Sequence, residues 1–149
     1  MKNIVVEGHR GWAAKYPENT MRSFREALKL DIDGIEIDVR LSKDNQVVVF
    51  HDDTLQRMCD RTERVDSKTA SELSWMEIKG TYEKIPLFED VLAGIDPTTP
   101  LCIELKGNDT RLCVELMKLL DKEDQVGILE INISCPNVHN GGMSFGVSP

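Results

Sequence analysis

Acidic and apolar side chains alternate in residues 34–39, whose sequence is Gly-Ile-Glu-Ile-Asp-Val. Such alternation is typical of a β-strand, in which every second side chain lies on the same face, so Glu36 and Asp38 should project together. A third carboxylate, Glu104, lies in the short apolar segment 101–106. Three carboxylates from neighbouring strands form an all-oxygen ligand set that suits a hard divalent ion, Mg²⁺ or Ca²⁺, better than zinc.

Two basic residues offer a different use for the same acids. Arg10 follows the first apolar segment and Lys106 ends the segment that contains Glu104. The three acids could pair with these cations as a buried salt-bridge network, and spacing does not distinguish this network from a metal site. The same two cations would supply the fixed positive charge that a bound phosphate requires.

Two of the three histidines, His9 and His51, each follow an apolar strand-like segment. Histidine is the side chain best matched to proton transfer near neutral pH, so a pair beside a metal could act as base and acid. A metal, two histidines and two cations around one small pocket predict hydrolysis of a phosphate ester, in which the metal polarises a phosphoryl oxygen.

The elements that would position these side chains alternate between strand and helix. Strands are predicted over residues 2–9, 34–39, 47–50, 101–106 and about 126–133. Helices are predicted to begin at Asn19 or Thr20, at the capping box Thr69-Ala-Ser-Glu72, at Pro86 and at Asp109 or Thr110. Polar residues at the ends of buried, mostly parallel strands indicate an α/β fold, a partial TIM (β/α)8 barrel with about the first half and one further strand.

Composition narrows the class of partner. The chain has 149 residues, with 26 acidic and 18 basic side chains and a formal net charge of −8. This acidity argues against nucleic acid or an anionic membrane as the main partner, and we expect a small-molecule substrate. The four cysteines show no paired CxxC spacing, and we see no signal peptide or membrane span, so we expect reduced thiols and a cytoplasmic protein.

Ordered motifs over residues 3 to about 122 closely resemble the glycerophosphodiester phosphodiesterase family. These motifs are His9-Arg-Gly-Trp, Pro17-Glu-Asn-Thr20, Ser23-Phe24, Gly34-Ile-Glu-Ile-Asp-Val39, His51-Asp52 with Thr54, Leu55 and Arg57, Ile85-Pro86-Leu87 with Glu89, and Ile103-Glu-Leu-Lys106. The resemblance implies a TIM barrel that cleaves glycerophosphodiesters to glycerol 3-phosphate and an alcohol.

The resemblance also implies a role for each matching residue. Its metal ligands would be Glu36, Asp38 and Glu104, its acid-base pair His9 and His51, its phosphate contacts Arg10 and Lys106, and Glu18 and Asn19 would complete the polar rim. Residues 52–84 correspond to an insertion that distinguishes the family from plain barrels, and it is short here. Glu7 departs from the family pattern, and we expect it to pair with Arg10 or to raise the pKa of His9.

The end of the chain has a different likeness. Residues 127–149, which include Asn-Ile-Ser-Cys-Pro-Asn, resemble the orotate-site segment of class 1 dihydroorotate dehydrogenases, an FMN-dependent TIM-barrel family. In that resemblance Cys135 would match the catalytic base, and Asn132 and Asn137 the orotate contacts. We therefore divide the chain into a phosphodiesterase-like barrel portion at 1–126 and a borrowed strand and loop at 127–149 that is not a separate domain.

Five predicted strands cannot close an eight-stranded barrel, so two sheet edges would stay open unless another chain covers them. We therefore expect association, for example as a homo-oligomer. Three functional hypotheses follow: a metal-dependent phosphodiesterase, an inactive fragment that binds metal and phosphate only, and a fragment of an FMN-dependent dihydroorotate dehydrogenase.

Overall fold

The computed structural model describes residues 4–121, which form one mixed sheet with helices and a folded insertion. The strands are β1 (Glu7–His9), β2 (Gly34–Leu41), β3 (Val47–Val49) and β4 (Leu101–Leu105). The helices are α1 (Met21–Ala27), α2 (Gln56–Cys59), α3 (Ala70–Ser74), α4 (Phe88–Gly94) and α5 (Thr110–Leu120), with a 3₁₀ turn at Val65–Ser67. The predicted strand at 126–133 and the segment 127–149 lie outside the described residues.

Strand β2 is the centre of the sheet. Strand β1 pairs with it in parallel on one side, and β4 pairs with it in parallel on the other. Helices connect these three parallel strands, as expected for part of an α/β barrel. The predicted α/β class is therefore confirmed for residues 4–121, as a partial sheet consistent with a portion of a barrel.

Strand β3 does not continue the parallel series that the sequence pattern predicts. It runs antiparallel to the far end of β2, with Val49 beside Val39 and Val47 beside Leu41. The prediction is wrong here because residues 42–46 make a tight turn, in which Ser42 Oγ accepts a 2.9 Å hydrogen bond from the backbone N–H of Gln46. A turn this short joins antiparallel strands, whereas a parallel connection needs about a dozen residues or more.

The two faces of β2 have opposite characters. Odd-numbered residues pack against the helices in a core that includes Ile35, Ile37, Val39, Ile103, Phe24, Phe88, Val91, Leu112 and Leu116. Even-numbered residues, including Glu36 and Asp38, lie on the other face. Full burial of an aliphatic side chain of this size contributes about 2 kcal/mol, so the apolar face fixes the direction in which the acids point.

The insertion at residues 52–84 packs with β3 and adjoining residues in a second small core. The buried side chains of this core are Val48, Phe50, Leu55, Val65, Ala70, Leu73, Ile78 and Ile85. The predicted capping box is confirmed, because Thr69 Oγ1 accepts from the backbone N–H of Glu72 and Glu72 Oε2 accepts from the backbone N–H of Thr69. The insertion is therefore an ordered element packed beside β3.

Strand β1 is shorter than predicted and lies at an edge. The expectation was residues 2–9, whereas the pairing covers only Glu7–His9. Ile4 and Val5 just before it are 83% and 69% exposed. Within residues 4–121, β1 and β4 each pair on one side only, with β2. No helix in this range is both long and apolar enough to cross a membrane.

Candidate active site

Three carboxylates converge on the face of the sheet opposite the helices. Asp38 lies beside Glu104 in the β2–β4 register, and Glu36 lies two residues earlier on the same face. One oxygen from each of these residues lies within 4.8 Å of the others. Asp38 is fully buried, and the side chains of Glu36 and Glu104 are 12% and 17% exposed. The sequence predicted this grouping, and the described residues bring it together.

Two cations and an amide partly compensate the cluster. Lys106 Nζ lies 2.5 Å from Glu104 Oε1 and 3.2 Å from Asp38 Oδ1. Arg10 Nε lies 2.9 Å from Asp38 Oδ2, although the two groups are not aligned for a hydrogen bond. Asn19 Nδ2 donates to the same oxygen at 2.8 Å. Asp38 and Glu104 therefore form the salt-bridge network that the sequence offered as the alternative to a metal site.

Glu36 is compensated far less. Its Oε2 accepts a 2.9 Å hydrogen bond from the backbone N–H of Arg10, whereas its buried Oε1 has no hydrogen-bond partner among the described residues. Burial, with repulsion from Asp38, raises the pKa of Glu36 to about 7, against the lowering effect of the Arg10 N–H. A buried carboxylate in this state costs free energy unless a cation reaches it.

The donor set fits a hard divalent cation. All three groups offer carboxylate oxygens, and an ion coordinated at about 2.0–2.6 Å accommodates oxygens spaced as these are. The buried Oε1 of Glu36 has no hydrogen-bond partner within residues 4–121, so it is available to bind a metal. A salt-bridge network alone gives no reason to bury this oxygen. Glu36, Asp38 and Glu104 are therefore the residues that would hold a metal here.

The turn after β1 places Arg10. Its backbone is left-handed, with φ 56°, and Gly11 follows with φ 79°. A Cβ on Gly11 would lie 2.5 Å from Ser23 Oγ on α1, so the turn needs glycine to approach the helix. Ser23 Oγ also donates to the Arg10 carbonyl at 3.0 Å. Helix α1 thus holds the turn in the shape that points the Arg10 N–H at Glu36.

His9 and His51 end or follow strands that pair along the same edge of β2, β1 near its start and β3 near its end, whereas β4 pairs along the other edge. His9 pairs with Glu36 in the β1–β2 register, its side chain is 68% exposed, and its Nε2 is 3.8 Å from Glu36 Oε2. The antiparallel run of β3 returns His51 towards the acid cluster, because the preceding residue, Phe50, donates its N–H to the Asp38 carbonyl at 2.9 Å. The His51 carbonyl accepts from Arg40 Nε at 2.8 Å.

Glu7 does not form the ion pair with Arg10 that was one of the two expectations from the sequence. Its side chain is exposed at the sheet edge. Arg10 pairs with Glu18 at 3.1 Å and with Asp38, so the expected pair of Glu7 with Arg10 is not formed. The reason is the left-handed turn, which directs Arg10 away from the preceding strand.

Sequence reasoning assigned no role to Asp52 or Arg57, although both belong to the motifs that carried the resemblance. Asp52 Oδ1 lies 2.6 Å from His51 Nδ1, and Arg57 Nε donates to Asp52 Oδ2 at 2.6 Å. Arg57 also contacts Glu18, a predicted rim residue, through Nη2 at 2.6 Å. The signal available in the sequence was the acid that directly follows the histidine.

Comparison with known proteins identifies the family and the fold that this chain shares. Residues 9–132 match the model of the Glycerophosphoryl diester phosphodiesterase family. A glycerophosphodiester phosphodiesterase from Bacillus altitudinis is 38% identical over 108 residues, which cover 68% of this chain and 44% of that protein. The glycerophosphodiester phosphodiesterase structure from Thermotoga maritima has a TM-score of 0.73 and 32% identity, covering 84% of this chain and 53% of that one.

A further similar structure carries a ligand. It is an Oleispira antarctica phosphodiesterase in complex with the product sn-glycerol-3-phosphate, with a TM-score of 0.75 and 28% identity, covering 86% of this chain and 56% of that one. The chain spans about half the length of the curated relatives it matches. The matched region reaches residue 132, inside the segment that resembles dihydroorotate dehydrogenases, and the comparisons do not support that second resemblance. The chain belongs to the glycerophosphoryl diester phosphodiesterase family.

Proposed function

We propose that this chain carries the metal and phosphate site of a divalent-metal-dependent phosphodiesterase that hydrolyses glycerophosphodiesters to glycerol 3-phosphate and an alcohol. The observation that carries the proposal is the buried, unpartnered Oε1 of Glu36 within a cluster of three carboxylates. An oxygen-only cluster with one uncompensated acid selects for a hard cation, Mg²⁺ or Ca²⁺. Family membership gives the substrate class.

The residues around the cluster have complementary tasks in this reaction. A divalent ion held by Glu36, Asp38 and Glu104 would polarise a phosphoryl oxygen and offset charge that develops on it. Arg10 and Lys106 lie at the same cluster and supply further positive charge for the phosphate. Their existing pairs with Asp38 keep both cations oriented before substrate arrives.

His9 and His51 are the proposed acid-base pair. One would take a proton from the attacking nucleophile, and the other would donate a proton to the leaving alkoxide. His9 is exposed beside Glu36, which leaves its ring accessible to substrate. His51 is half-buried with Nδ1 held by Asp52, so Nε2 is the nitrogen that remains available for proton transfer. Glu18 and Asn19 complete the rim by holding Arg10 and Asp38.

Turnover is measured as glycerol 3-phosphate release from glycerophosphocholine with Mg²⁺ or Ca²⁺. The proposal expects activity in the wild type and a strong loss in His9→Ala and Glu36→Gln. Glu115→Gln is the matched control, because Glu115 lies on α5 and pairs with Lys118. Equal activity in all four proteins would refute the proposed site.

A second candidate is a fragment that binds metal and phosphate without turnover. The observation that favours it is that the chain spans about half the length of its curated relatives. Calorimetry separates the two candidates, because the fragment would bind the divalent ion and show no product release. Binding with turnover would reject the fragment.

We also propose that a second copy of the chain covers the sheet edges of β1 and β4. Ile4, Val5 and Val6 are exposed beside β1, at 83%, 69% and 47%, which favours burial against another chain. Light scattering after size exclusion should give a dimer or larger assembly, and a cooperatively folding monomer would contradict this. We further propose a cytoplasmic location, where reduced thiols such as Cys59 and Cys113 persist.

A further inference from the structure

Arg57, the second residue of α2 in the insertion, contacts two carboxylates with both edges of its guanidinium. Nε and Nη2 donate to Asp52 Oδ2 and Oδ1 at 2.6 and 3.0 Å. Nη1 and Nη2 donate to Glu18 Oε2 and Oε1 at 2.9 and 2.6 Å. Two bidentate pairs on one side chain are a demanding arrangement that only a planar guanidinium can make.

Each carboxylate that Arg57 holds contacts a different residue of the proposed site. Asp52 Oδ1 lies 2.6 Å from His51 Nδ1, and Glu18 Oε1 accepts from Arg10 Nη1 at 3.1 Å. Arg57 is therefore connected through Asp52 to His51, the proposed acid-base histidine. It is connected through Glu18 to Arg10, the proposed phosphate arginine. These two residues follow different strands, β1 and β3, and two residues of the insertion, Asp52 and Arg57, connect them through Glu18.

The contact with Asp52 determines which His51 nitrogen carries hydrogen. Although burial alone would raise the pKa of Asp52, its hydrogen bonds from Arg57 and His51 lower it to about 2, so this group is an ionised acceptor. An ionised carboxylate cannot donate, so His51 Nδ1 must carry the hydrogen and Nε2 is left with a lone pair. Without Arg57, the Asp52 side chain loses its two fixed contacts and rotates more freely.

We propose that Arg57 is a positioning residue that holds His51 in its Nδ1–H tautomer through Asp52 and orients the Arg10 guanidinium through Glu18. The insertion then contributes to the chemistry through one side chain, besides covering β3. The catalytic consequence rests on the proposed phosphodiesterase function. The tautomer of His51 does not, since it is a property of the protein without substrate.

The alternative is that Arg57 contributes only to stability, as a surface ion pair that holds the insertion against the sheet. Its side chain is 47% exposed, and exposed ion pairs contribute little to stability. The same insertion contains a matched control. Arg64 makes a bidentate pair with Asp66 and is likewise exposed, but neither residue contacts the proposed site.

The first test measures the His51 tautomer by long-range ¹H–¹⁵N correlation NMR at about pH 9, above the ordinary histidine pKa. The chain has three histidines, and His51→Ala assigns the signal. Wild type and Arg64→Ala should show the Nδ1–H form, whereas Arg57→Ala should shift towards the Nε2–H form that free imidazole prefers. Arg57→Lys retains the charge and should fall between them.

Unchanged His51 nitrogen shifts in folded Arg57→Ala would overturn the proposal. Should Arg57→Ala fail to fold, Arg57→Lys decides instead, and a wild-type tautomer ratio in that variant would overturn it. This readout remains valid if the wild type shows no phosphodiesterase turnover, so the failure of the proposed function and the failure of this inference are distinguishable.

The second test uses kinetics. If the wild type turns over, Arg57→Ala should lower kcat by about 10- to 100-fold, the usual effect of losing a residue that orients a catalytic group. Asp52→Asn should lower mainly kcat and Glu18→Gln should raise mainly KM, because the two carboxylates serve His51 and Arg10 respectively. Wild-type kcat and KM in Arg57→Ala would contradict the proposal, and Arg64→Ala should match the wild type.

Discussion

Asp38 lies directly beside Glu104 in the parallel register of β2 and β4, and Lys106 contacts both carboxylates from the residue after the strand. Two neighbouring acids on one face repel each other unless positive charge lies between them. Glu36 adds a third acid to this face, and two cations are in contact with the cluster. The excess negative charge is the physical basis for expecting a divalent ion.

The first prediction concerns the pH dependence of stability in the metal-free protein. The pKa of Glu36 is raised from 4.5 to about 7, so the folded state favours its protonated form. The stability that protonated Glu36 contributes to the folded state is fully present below about pH 4.5 and is lost as pH rises through about 7. Glu36→Gln removes this dependence and should therefore raise the free energy of unfolding at pH 8 by about 3 kcal/mol.

Urea denaturation with a chelator present measures this difference. The variant and the wild type should have nearly the same stability at pH 4, and the gap should open between about pH 4.5 and 7. Addition of Mg²⁺ or Ca²⁺ at pH 8 should reduce this difference in the free energy of unfolding, because the ion stabilises the wild type alone. A variant that is less stable than the metal-free wild type at pH 8 would show that Glu36 already has a cationic partner.

The second prediction concerns acid. Hydrogen bonds from Arg57 and His51 outweigh the effect of burial and lower the pKa of Asp52 to about 2. Stability from this shift is present above the ordinary pKa of about 3.8 and is lost as pH falls through about 2. Asp52→Asn should therefore cost at most about 1 kcal/mol at pH 7, because the pair with Arg57 is partly exposed. Thermal unfolding between pH 2 and 7 should show a smaller pH response in the variant, and an unchanged response would contradict the assignment.

The third prediction tests the close approach of β2 to the chain before β4. A Cβ on Gly34 would lie 2.7 Å from the Pro100 carbonyl oxygen, which already accepts the Ile35 N–H at 3.0 Å. Gly34→Ala should therefore destabilise the fold by about 1–3 kcal/mol, because backbone must move. Urea denaturation measures the change.

Gly94→Ala is the control for that substitution. Gly94 is the last residue of α4. A Cβ at this position would lie 2.5 Å from Cε at the flexible end of the Met21 side chain. The side chain can move aside and alanine favours helix, so the variant should be about neutral or gain up to about 1 kcal/mol. Equal stability of the two variants would mean that the strands tolerate more separation than the structure indicates.

Much of the site could be predicted from the sequence because strand periodicity is strict. Alternation in residues 34–39 places Glu36 and Asp38 on one face whatever the strand pairs with. The capping box predicted the start of α3 for a similar reason, since Thr69 and Glu72 satisfy local backbone groups. Local rules of this kind act within a few residues and need no knowledge of the fold.

Contacts between distant elements could not be predicted in the same way. The pairing of Asp38 with Glu104 depends on the register between β2 and β4, which the packing of the whole apolar face sets. The antiparallel direction of β3 could have been inferred from the short turn at 42–46. The contacts of Arg57 with Glu18 required the fold itself, because 39 positions separate the two residues in the chain.

Isothermal titration of Mg²⁺ and Ca²⁺ into chelator-treated protein measures whether the three carboxylates bind a metal. A divalent ion should bind saturably to the wild type and to Glu115→Gln. Its affinity should be about tenfold or more weaker for Glu36→Gln and for Glu104→Gln, because each substitution removes one of the three clustered carboxylates. No binding to the wild type, or equal affinity in all four proteins, would contradict a metal site at this cluster.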